Sequence, residues 1–497
     1  MNSFTIFDYV IVLAYIVATL IIGLRFSRKQ KDLQSYFIAD RSGRPWAVAI
    51  SAVATGLSAI SYLGVPAWVY ENDLQLNVAV LLLPPSMFLV AYLFVPVFAR
   101  LRVITIYEYL EGRFNLAVRV IASGLFLLLR GAWLATAIYT QSLLLTELSG
   151  APLYASVILI GFLTAIYTIL GGMEAVLWTD VMQFFVLVGG LVAILLFALM
   201  GIDGGFGQAM RIAHAADRTR AVDLSFSLTQ ITLWGILLFT VVDNLCTYGS
   251  DQVMVQRFLT SPSPQAMRRA VIFTGLLSLP VVALLALVGL VLFSYYQSHP
   301  ELRATLSSTQ RVVPHFVGNV LPSGAAGLVV AGVFAATMST LSAGFNSLAT
   351  ATVIDFSHRL RRRGAGDAKK DLMLARLTTL LWAAASTAAA IVIGYSSQKS
   401  IVELFGTINS MFAGPILGLF LLGMLFRKPK GMDAISGVIA GAVVTAYVSL
   451  QTSISWLYYA PIGLIVTVGV GHLSSFLTRA PVPASPEPLK SETEVGG

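Results

Sequence analysis

The stretch that decides the fold is GAAGLVVAGVFAATMSTLSAGFNSLATATVIDF, residues 324–356. It is long enough to cross a bilayer, since about 20 apolar residues suffice. One face of the predicted helix nevertheless carries small or hydroxyl side chains at spacings of three and four. These residues are Gly332, Ala336, Ser339, Thr340, Ala343 and Ser347. Such a face is typical either of close helix packing or of a site for a small hard cation, which prefers oxygen ligands.

The composition of the whole chain indicates a polytopic membrane protein. The chain has 497 residues, of which 57% are hydrophobic and 11% charged, and its mean hydropathy is +0.81. A soluble domain of this size is far more polar. The single cysteine, Cys246, excludes an intrachain disulfide, and the five histidines lack the spacing of metal ligands.

The apolar segments predict thirteen transmembrane helices. They run approximately over residues 6–26, 46–70, 74–99, 117–147, 152–170, 174–202, 227–258, 270–297, 320–358, 372–394, 400–425, 432–451 and 455–478. If the N-terminus lies outside, the cytoplasmic side carries 25 Lys and Arg residues and the outer side 6, with Arg130 alone inside a span. Because positive charges accumulate in cytoplasmic loops, this imbalance predicts an outside N-terminus and a cytoplasmic C-terminus. The net charge of +8 then follows from topology and requires no nucleic-acid partner.

Two of these spans contain polar interruptions. The second, WAVAISAVATGLSAISYLGVPAWVY, has hydroxyl residues at its centre, followed by Gly64 and Pro66, so we expect it to break. The seventh contains TVVDNLCTYGSDQVMVQRF, with Asp243 and Asn244 near its middle. Broken backbone at membrane depth is tolerated only where it lines a cavity or a bound ion. If the first span is set aside, the two interruptions occupy the first and sixth positions, the pattern of a five-plus-five inverted repeat.

Three stretches resemble the sodium:solute symporter family, which includes sodium-coupled glucose, iodide, multivitamin, monocarboxylate, proline and sialic acid transporters. They are YTILGGMEAVLWTD (167–180), YGSDQVMVQRFLTS (248–261) and MSTLSAGFNSLATATVIDF (338–356), and ITIYEYLEGRF (104–114) agrees with them. The resemblance extends from the second span to about residue 425. It implies an all-α LeuT-type fold with one extra helix before the five-plus-five core and two after it. It also implies a sodium-coupled symporter that works by alternating access.

The resemblance divides the chain into six parts. They are an extra N-terminal helix and cytoplasmic loop (1–44), a first repeat (45–202), an extracellular loop (203–226), a second repeat (227–430), two C-terminal helices (431–480) and a tail (481–497). The tail is rich in proline and polar residues, so we expect it to be disordered.

The resemblance implies a shared sodium site. Its ligands are the carbonyls of Ala54, Leu57 and Ala336 and the hydroxyls of Ser339 and Thr340. With both the small-residue face and the matching ATGLS segment present, we favour the ion site over packing alone.

Some members of the family hold a second sodium. That site would use Asp180, Ser339, Ser342 and one further hydroxyl, but position 343 is alanine in this chain. The sequence therefore leaves open whether Asp180 binds an ion or is a packed acid.

The substrate region implied by the resemblance lies beside the broken second span. Its candidate residues are Ser58, Ser61, Leu76, Val80, Arg130, Trp133, Asp243 and Asn244. Arg130 either contacts the substrate or pairs with Asp243, because an arginine inside a span needs a partner. Leu76, Val80 and Trp133 make the region more apolar than a sugar site. We expect a small organic anion, such as a monocarboxylate or a sialic-acid-like compound, and keep a neutral solute such as a sugar as the alternative.

Other classes of function fit less well. A channel needs a continuous polar ring and no mutually exclusive states, whereas broken helices indicate a carrier. A membrane enzyme needs a catalytic constellation, and the chain has no nucleophile–base pair or phosphate loop. A proton-coupled LeuT-type carrier remains the alternative mechanism. We expect a multi-pass inner-membrane protein that interacts with the lipid bilayer and functions as a monomer.

Overall fold

The computed structural model describes residues 5–27, 32–101, 103–359, 368–396 and 401–477. The regular structure of these residues is helical. The α-helices, in chain order, are α1 (Ile6–Ser27), α2 (Leu33–Ile38), α3 (Pro45–Gly56), α4 (Ala59–Glu71), α5 (Leu83–Leu93), α6 (Val95–Leu101), α7 (Tyr107–Arg113), α8 (Leu116–Ser149), α9 (Leu153–Met200), α10 (Gly205–Ala215), α11 (Leu233–Leu245), α12 (Gln252–Leu259), α13 (Pro264–Ser298), α14 (Pro300–Ala304), α15 (Val312–Asn319), α16 (Ala325–Ala351), α17 (Ala368–Ser396), α18 (Ile401–Leu425), α19 (Gly431–Gln451) and α20 (Tyr459–Leu477). Short 3₁₀ or π turns extend several of them, as at Gln75–Leu82 before α5 and Thr352–His358 after α16.

The helices make this a multi-pass membrane protein. Among the described residues, nine helices are long and apolar enough to cross a bilayer, or ten if the bent pair α3–α4 counts as one span. Each of the thirteen predicted segments overlaps a helix. The count of thirteen is not confirmed, because Leu153–Ile166 and Met411–Leu425 are shorter apolar helices and α11 and α12 are shorter still. The predicted disordered tail, 481–497, lies outside the described residues.

Helix α9 is two helices joined at one glycine. Gly172 has φ 59° and ψ −177°, a conformation that suits glycine because it lacks a Cβ. The junction falls between the predicted spans 152–170 and 174–202. The predicted outer loop 203–226 is partly helical, since α10 lies within it.

Helix α16 is the centre of the molecule. In its most apolar window 94% of the residues are buried, against 22–61% in the other spans. It packs against α9, α8 and α1, with α9 as its largest contact. A Cβ on Gly344 would lie 2.4 Å from Leu134, so glycine is needed there for the close approach of α8. The small-residue face therefore does serve packing, in addition to any ion.

Helix α1 holds one end of α16. Gly324, immediately before α16, has φ 87°. Because it is a glycine, it has no side chain that could cap the first turn of the helix. Instead, Asp8 Oδ1 of α1 accepts 2.8 Å hydrogen bonds from the backbone N–H groups of Gly324 and Gly327. A carboxylate from another helix thus satisfies amides that α16 itself leaves open.

The two predicted interruptions are present, with different geometry. Helix α3 ends at Gly56, α4 begins at Ala59, and the two are bent by 59°. The bend lies at Gly56–Ser58, whereas Gly64 and Pro66, which the sequence suggested as its cause, lie inside α4. Between α11 and α12 the chain forms a π-turn, Cys246–Ser250, and then an extended residue, Asp251.

Candidate functional site

The first break lies directly against the middle of α16. Ser339 Oγ donates 3.0 Å hydrogen bonds to the carbonyls of Ala54 and Ala336, and Thr340 Oγ1 donates a 2.9 Å bond to the carbonyl of Thr55. All of these residues are buried. The structure therefore brings Ala54, Ala336, Ser339 and Thr340 together, as the sequence predicts.

The contact is rich in oxygen atoms. Each hydroxyl has lone pairs in addition to its proton, so its oxygen is able to accept a cation when the O–H turns aside. Leu57, the remaining predicted ligand, occupies the bend itself and is 8% exposed. The structure adds the carbonyl of Thr55 to these oxygens. The sequence did not distinguish this carbonyl from those of the neighbouring residues. The arrangement suits a hard monovalent cation between α3 and α16.

Asp180 lies on α9 beside this contact, and its visible partners are on α3 and α12. Its Oδ2 accepts a 2.6 Å hydrogen bond from Ser51 and lies 3.1 Å from Arg257 Nη2. Ser342 Oγ donates to the carbonyl of Ser339 at 3.2 Å. The proposed ligand set of Asp180, Ser339 and Ser342 stays a prediction, because these contacts involve other partners.

Arg257 is a second buried arginine beside the site. The charge distribution counts it among the Lys and Arg residues of the cytoplasmic side, and its side chain is fully buried within the protein. Its Nε donates to Ser51 Oγ at 3.0 Å and its Nη1 to the carbonyl of Val253 at 2.8 Å. The buried carboxylate of Asp180 supplies the counter-charge that makes this burial tolerable. Arg130 is therefore one of at least two arginines inside the helical core.

Arg130 pairs with Asp251 and not with Asp243. Its Nε and Nη2 both lie 2.5 Å from Asp251 Oδ2, and its guanidinium stacks over the Trp133 ring at 4.3 Å. Asp251 Oδ1 also accepts the N–H of Val253, which caps α12. The sequence missed Asp251, although an acid beginning the polar pattern DQVMVQR at the second break was the available signal. Asp243 instead accepts a short hydrogen bond from Asn409 Nδ2 of α18.

The two breaks face each other. A Cβ on Gly56 would lie 3.6 Å from the Tyr248 hydroxyl, which belongs to the second break. Gly56 is exposed although the residues on both sides of it are buried. Ser58 is buried and caps α4 by accepting the N–H of Ile60, while Ser61 is partly exposed. Two of the predicted substrate residues, Ser58 and Ser61, therefore lie at the start of α4, immediately after the first break.

The remaining substrate candidates are more dispersed. Leu76 packs against a cluster formed by Ile236, Leu457 and Tyr458. Val80, on the same 3₁₀ turn, is partly buried. Asn244 Nδ2 donates to Ser86 Oγ at 3.3 Å. These contacts place Leu76 in an apolar cluster with α11 and the segment before α20.

Ionic contacts fix the far end of α16. Buried Asp355 accepts hydrogen bonds from Thr105, Arg119 and Ser123 at 2.6–2.9 Å. Arg119 also bonds Glu111 of α7 at 2.7 Å. Burial raises the pKa of Glu111, but hydrogen bonds from Arg359 and Arg119 outweigh it and hold that pKa below its usual range. The helix that carries Ser339 is thus anchored at both of its ends.

Known proteins resemble this chain in sequence and in fold. The family model described as the sodium:solute symporter family matches residues 36–441. A sodium/sialic acid symporter of Aliivibrio fischeri is 31% identical over 481 residues, which cover 95% of this chain and 94% of that protein. A sodium-dependent multivitamin transporter of Oryctolagus cuniculus is 31% identical over 462 residues, covering 91% of this chain and 72% of that protein.

Two solved structures extend the comparison to the fold. The outward-open, substrate-bound structure of a Na⁺-coupled sialic acid symporter has a TM-score of 0.90 and 29% identity, covering 96% of this chain and 99% of the other. Mhp1, a nucleobase–cation symport transporter, has a TM-score of 0.58 at 13% identity over 89% of this chain and 94% of the other, which shows the fold alone. The resemblance stated from the sequence motifs is confirmed. The chain belongs to the sodium:solute symporter family.

Proposed function

We propose that this chain imports a small solute together with sodium, and that the ion binds between the first break and α16. The observation that carries the proposal is the pair of hydroxyls, Ser339 and Thr340, bonded across the break to the carbonyls of Ala54 and Thr55. A cation among these oxygens would tie the bent pair α3–α4 to α16. Loss of the ion would release that tie, which is how one site couples ion binding to alternating access.

The architecture that fits this function is a LeuT-type five-plus-five repeat. In it, the first repeat covers 45–202 and the second 227–430, with α1 before the core and α19 and α20 after it, giving thirteen spans. Support comes from the two breaks, which begin the two halves, and from the fold shared with the sialic acid symporter. We also propose an inner-membrane monomer with its N-terminus outside, on the basis of the charge distribution.

For the substrate we propose a small organic anion. Relatives act on sialic acid and on monocarboxylates by their names. In this chain the buried guanidinium of Arg130 lies at the second break, stacked on Trp133. A carboxylate there would share Arg130 with Asp251, since a guanidinium has donors for more than one acceptor.

A second candidate is a neutral solute such as a sugar. The observation that favours it is the charge balance, because Asp251 already neutralises Arg130, and Asp243 in α11 is a further acid on the other side of the π-turn. A pocket with its charge already balanced gains less from an anion. Competition between acids and their neutral amides decides between the two candidates.

The ion site is tested by removing both hydroxyls. In Ser339→Ala/Thr340→Ala the helix face stays small, so packing should survive. We expect sodium-dependent uptake in proteoliposomes to collapse while expression and monodispersity persist. Thr337→Ala is the matched control, because among the described residues its hydroxyl bonds only the carbonyl of Val333 in the same helix. Unchanged sodium dependence in the double variant would refute the site.

The substrate class is tested by competition. Carboxylic acids and their neutral amides of the same skeleton are compared as inhibitors of sodium-dependent uptake or as stabilisers of the purified protein. An anion site predicts that acids compete better than amides and that Arg130→Lys narrows the difference, since lysine lacks the planar fork. If amides or sugars compete equally well, the neutral-solute candidate is correct.

A further inference from the structure

A polar pocket lies at the end of the molecule where α2 and the start of α13 meet. It has a volume of about 440 Å³, and its lining includes Gln34 of α2, Arg41 after that helix, and Ser261 and Ser263 before α13. Among the residues that the structure describes, no acidic side chain lines it. Both segments belong to the side that the charge distribution assigns to the cytoplasm. The pocket therefore combines hydroxyl groups with a positive charge.

The start of α13 adds a further positive potential. This helix has 35 residues, and the aligned peptide dipoles of a long helix place a partial positive charge at its N-terminus. Ser263 Oγ accepts the N–H of Ala266 at 3.2 Å, while Pro264 has no N–H to offer. No carbonyl of the described chain accepts the N–H of Gln265. The first turn of α13 thus keeps a donor for an anion.

Ser261 is the second indication of a ligand. It is 2% exposed, and its Oγ has no hydrogen-bond partner among the described residues, although the residue lines the pocket. A buried hydroxyl without a partner is unfavourable, because it has given up its hydrogen bonds to water. A ligand in the pocket that accepts the proton of this hydroxyl would remove the penalty.

The backbone that carries Arg41 is strained. Ala39, Asp40 and Arg41 have φ values of 49°, 49° and 55°, in the left-handed region that residues other than glycine rarely adopt. The next turn holds this conformation, since the N–H of Gly43 donates to the carbonyl of Thr260 at 2.9 Å. Strain of this kind is frequent at ligand sites. A guanidinium has five N–H donors, so Arg41 is able to bind an anion besides the protein groups that it contacts.

We propose that this pocket binds a phosphate group, with Arg41, Ser261 and the first turn of α13 as its contacts. A phosphate offers several acceptor oxygens at once, and it carries the charge that a guanidinium and a helix N-terminus favour. Either the headgroup of an anionic phospholipid or a soluble phosphate could supply it. The side of the membrane rests on the proposed topology, whereas the identities of the coupling ion and the solute do not enter.

The position of the pocket gives a bound phosphate a structural consequence. It would bridge the segment after α2 and the link between α12 and α13, and α12 follows the second break. These parts already touch, since Gln256 Nε2 of α12 donates to the carbonyl of Phe37 in α2 at 2.7 Å. Binding would therefore favour the conformation in which α2 is packed against α12.

The experiment follows thermal unfolding of the purified full-length protein at constant sodium and ionic strength. In the first arm, inorganic phosphate replaces chloride. In the second, dioleoylphosphatidylglycerol is added to the detergent, with dioleoylglycerol as the matched lipid that lacks the phosphate. We expect at least one arm to raise the unfolding midpoint of the parent in a saturable manner. Arg41→Gln should raise the concentration needed for half of this shift about tenfold, because charge-assisted hydrogen bonds are about twice as strong as neutral ones.

Two further variants separate a lost ligand from lost folding. Glycine adopts a left-handed backbone readily, so Arg41→Gly should keep or raise the unfolding midpoint without ligand and still lose the response. Ser261→Ala should also not lower that midpoint, since it removes an unpartnered hydroxyl, but it should weaken the response severalfold. Arg44→Gln is the matched control, because Arg44 is exposed, does not line the pocket and changes the net charge equally.

A response to the phospholipid alone supports a headgroup site, and a response to inorganic phosphate supports a site for a soluble anion. Equal responses in the parent and both Arg41 variants would overturn the proposal, since phosphate also stabilises proteins as a salt without binding at a site. The absence of a response in both arms would overturn it as well. Because no step measures transport, neither failure bears on sodium-coupled uptake, and a failure of the sodium site leaves these results unchanged.

Discussion

The two broken helices solve the same problem with different chemistry. At the first break, between α3 and α4, the sequence from Pro45 to Tyr70 contains no charged residue, and hydroxyls of α16 bond its carbonyls. At the second, Asp251 pairs with Arg130 of α8, and Arg257 in the following helix pairs with Asp180 of α9. The carbonyls at the first break accept hydrogen bonds from neutral hydroxyls, whereas the residues at and after the second break form buried ion pairs.

This difference indicates a division of roles. Neutral hydroxyl–carbonyl bonds contribute about 1 kcal/mol each and exchange easily for ion–oxygen contacts, which suits a site that fills and empties in every cycle. A buried ion pair is costly to separate, so the second break is tied firmly to α8 and α9.

The largest effect is expected from Asp251→Asn. Asparagine is an equally good helix cap, so α12 keeps its first turn, but Arg130 loses its counter-charge. Leaving a buried charge unpaired typically costs about 3–5 kcal/mol, which should appear as a large drop in the unfolding midpoint of the purified protein. Adding Arg130→Met should recover part of the loss, because both charges are then gone. If Asp251→Asn alone is as stable as the parent, the second break is not held by charge.

A smaller loss is expected when the second break is overpacked. A Cβ on Gly249 would lie 3.0 Å from three atoms of the Phe94 ring, in a buried position. Overpacking of this kind costs about 1–3 kcal/mol, so Gly249→Ala should lower the unfolding midpoint without changing the charge pairs. Phe94→Leu in the same chain should relieve the contact and serves as the control. If Gly249→Ala leaves the unfolding midpoint unchanged, the π-turn is packed less tightly against Phe94 than the distances indicate.

The sequence predicted the first break better than the second. Local rules of helix geometry predict the small face of α16 and an interruption in the second span. The family resemblance, and not helix geometry, matched Ala54 with Ser339 and Thr340 across them. The position of the bend was harder to predict from the sequence. Gly64 and Pro66 have low helix propensity, yet both lie inside α4. Within a membrane, neighbouring helices are able to satisfy the backbone groups that such residues leave unpaired.

The charge partners could not be read from the sequence. Arg130 needed an acid, and Asp243 and Asp251 are both on the interrupted seventh span. Which of the two acids faces Arg130 depends on how far the π-turn between them rotates the chain. That rotation cannot be predicted from the sequence. The sequence groups Arg257 with Arg268 and Arg269 near the end of the seventh span, and this position does not indicate a partner. Its buried ion pair with Asp180 of α9 is visible only in the structure, where α12 packs against α3.

A modest loss is expected at the first break itself. Ser58 caps α4 by accepting the N–H of Ile60 at 3.2 Å, so Ser58→Ala should cost about 1 kcal/mol of stability. Ser58→Asn tests the explanation, since an asparagine restores a capping acceptor. A loss as large as that of Asp251→Asn would contradict the view that the first break depends on exchangeable neutral bonds.

The smallest effect is expected from Gly56→Ala, the counterpart of Gly249→Ala at the first break. The added Cβ would lie 3.6 Å from the Tyr248 hydroxyl and 3.8 Å from Met254 Cε, which are ordinary contact distances. Gly56 ends α3 without a positive φ, and it is exposed between buried neighbours. Stability should therefore stay within about 0.5 kcal/mol of the parent, the usual range for a substitution that meets no strain or cavity. Because the methyl group enters the space between the breaks, an effect on solute uptake with unchanged unfolding would place that space in the transport pathway. A fall in stability equal to that of Gly249→Ala would instead mean that both breaks are packed equally tightly, and the first would no longer be the adaptable one.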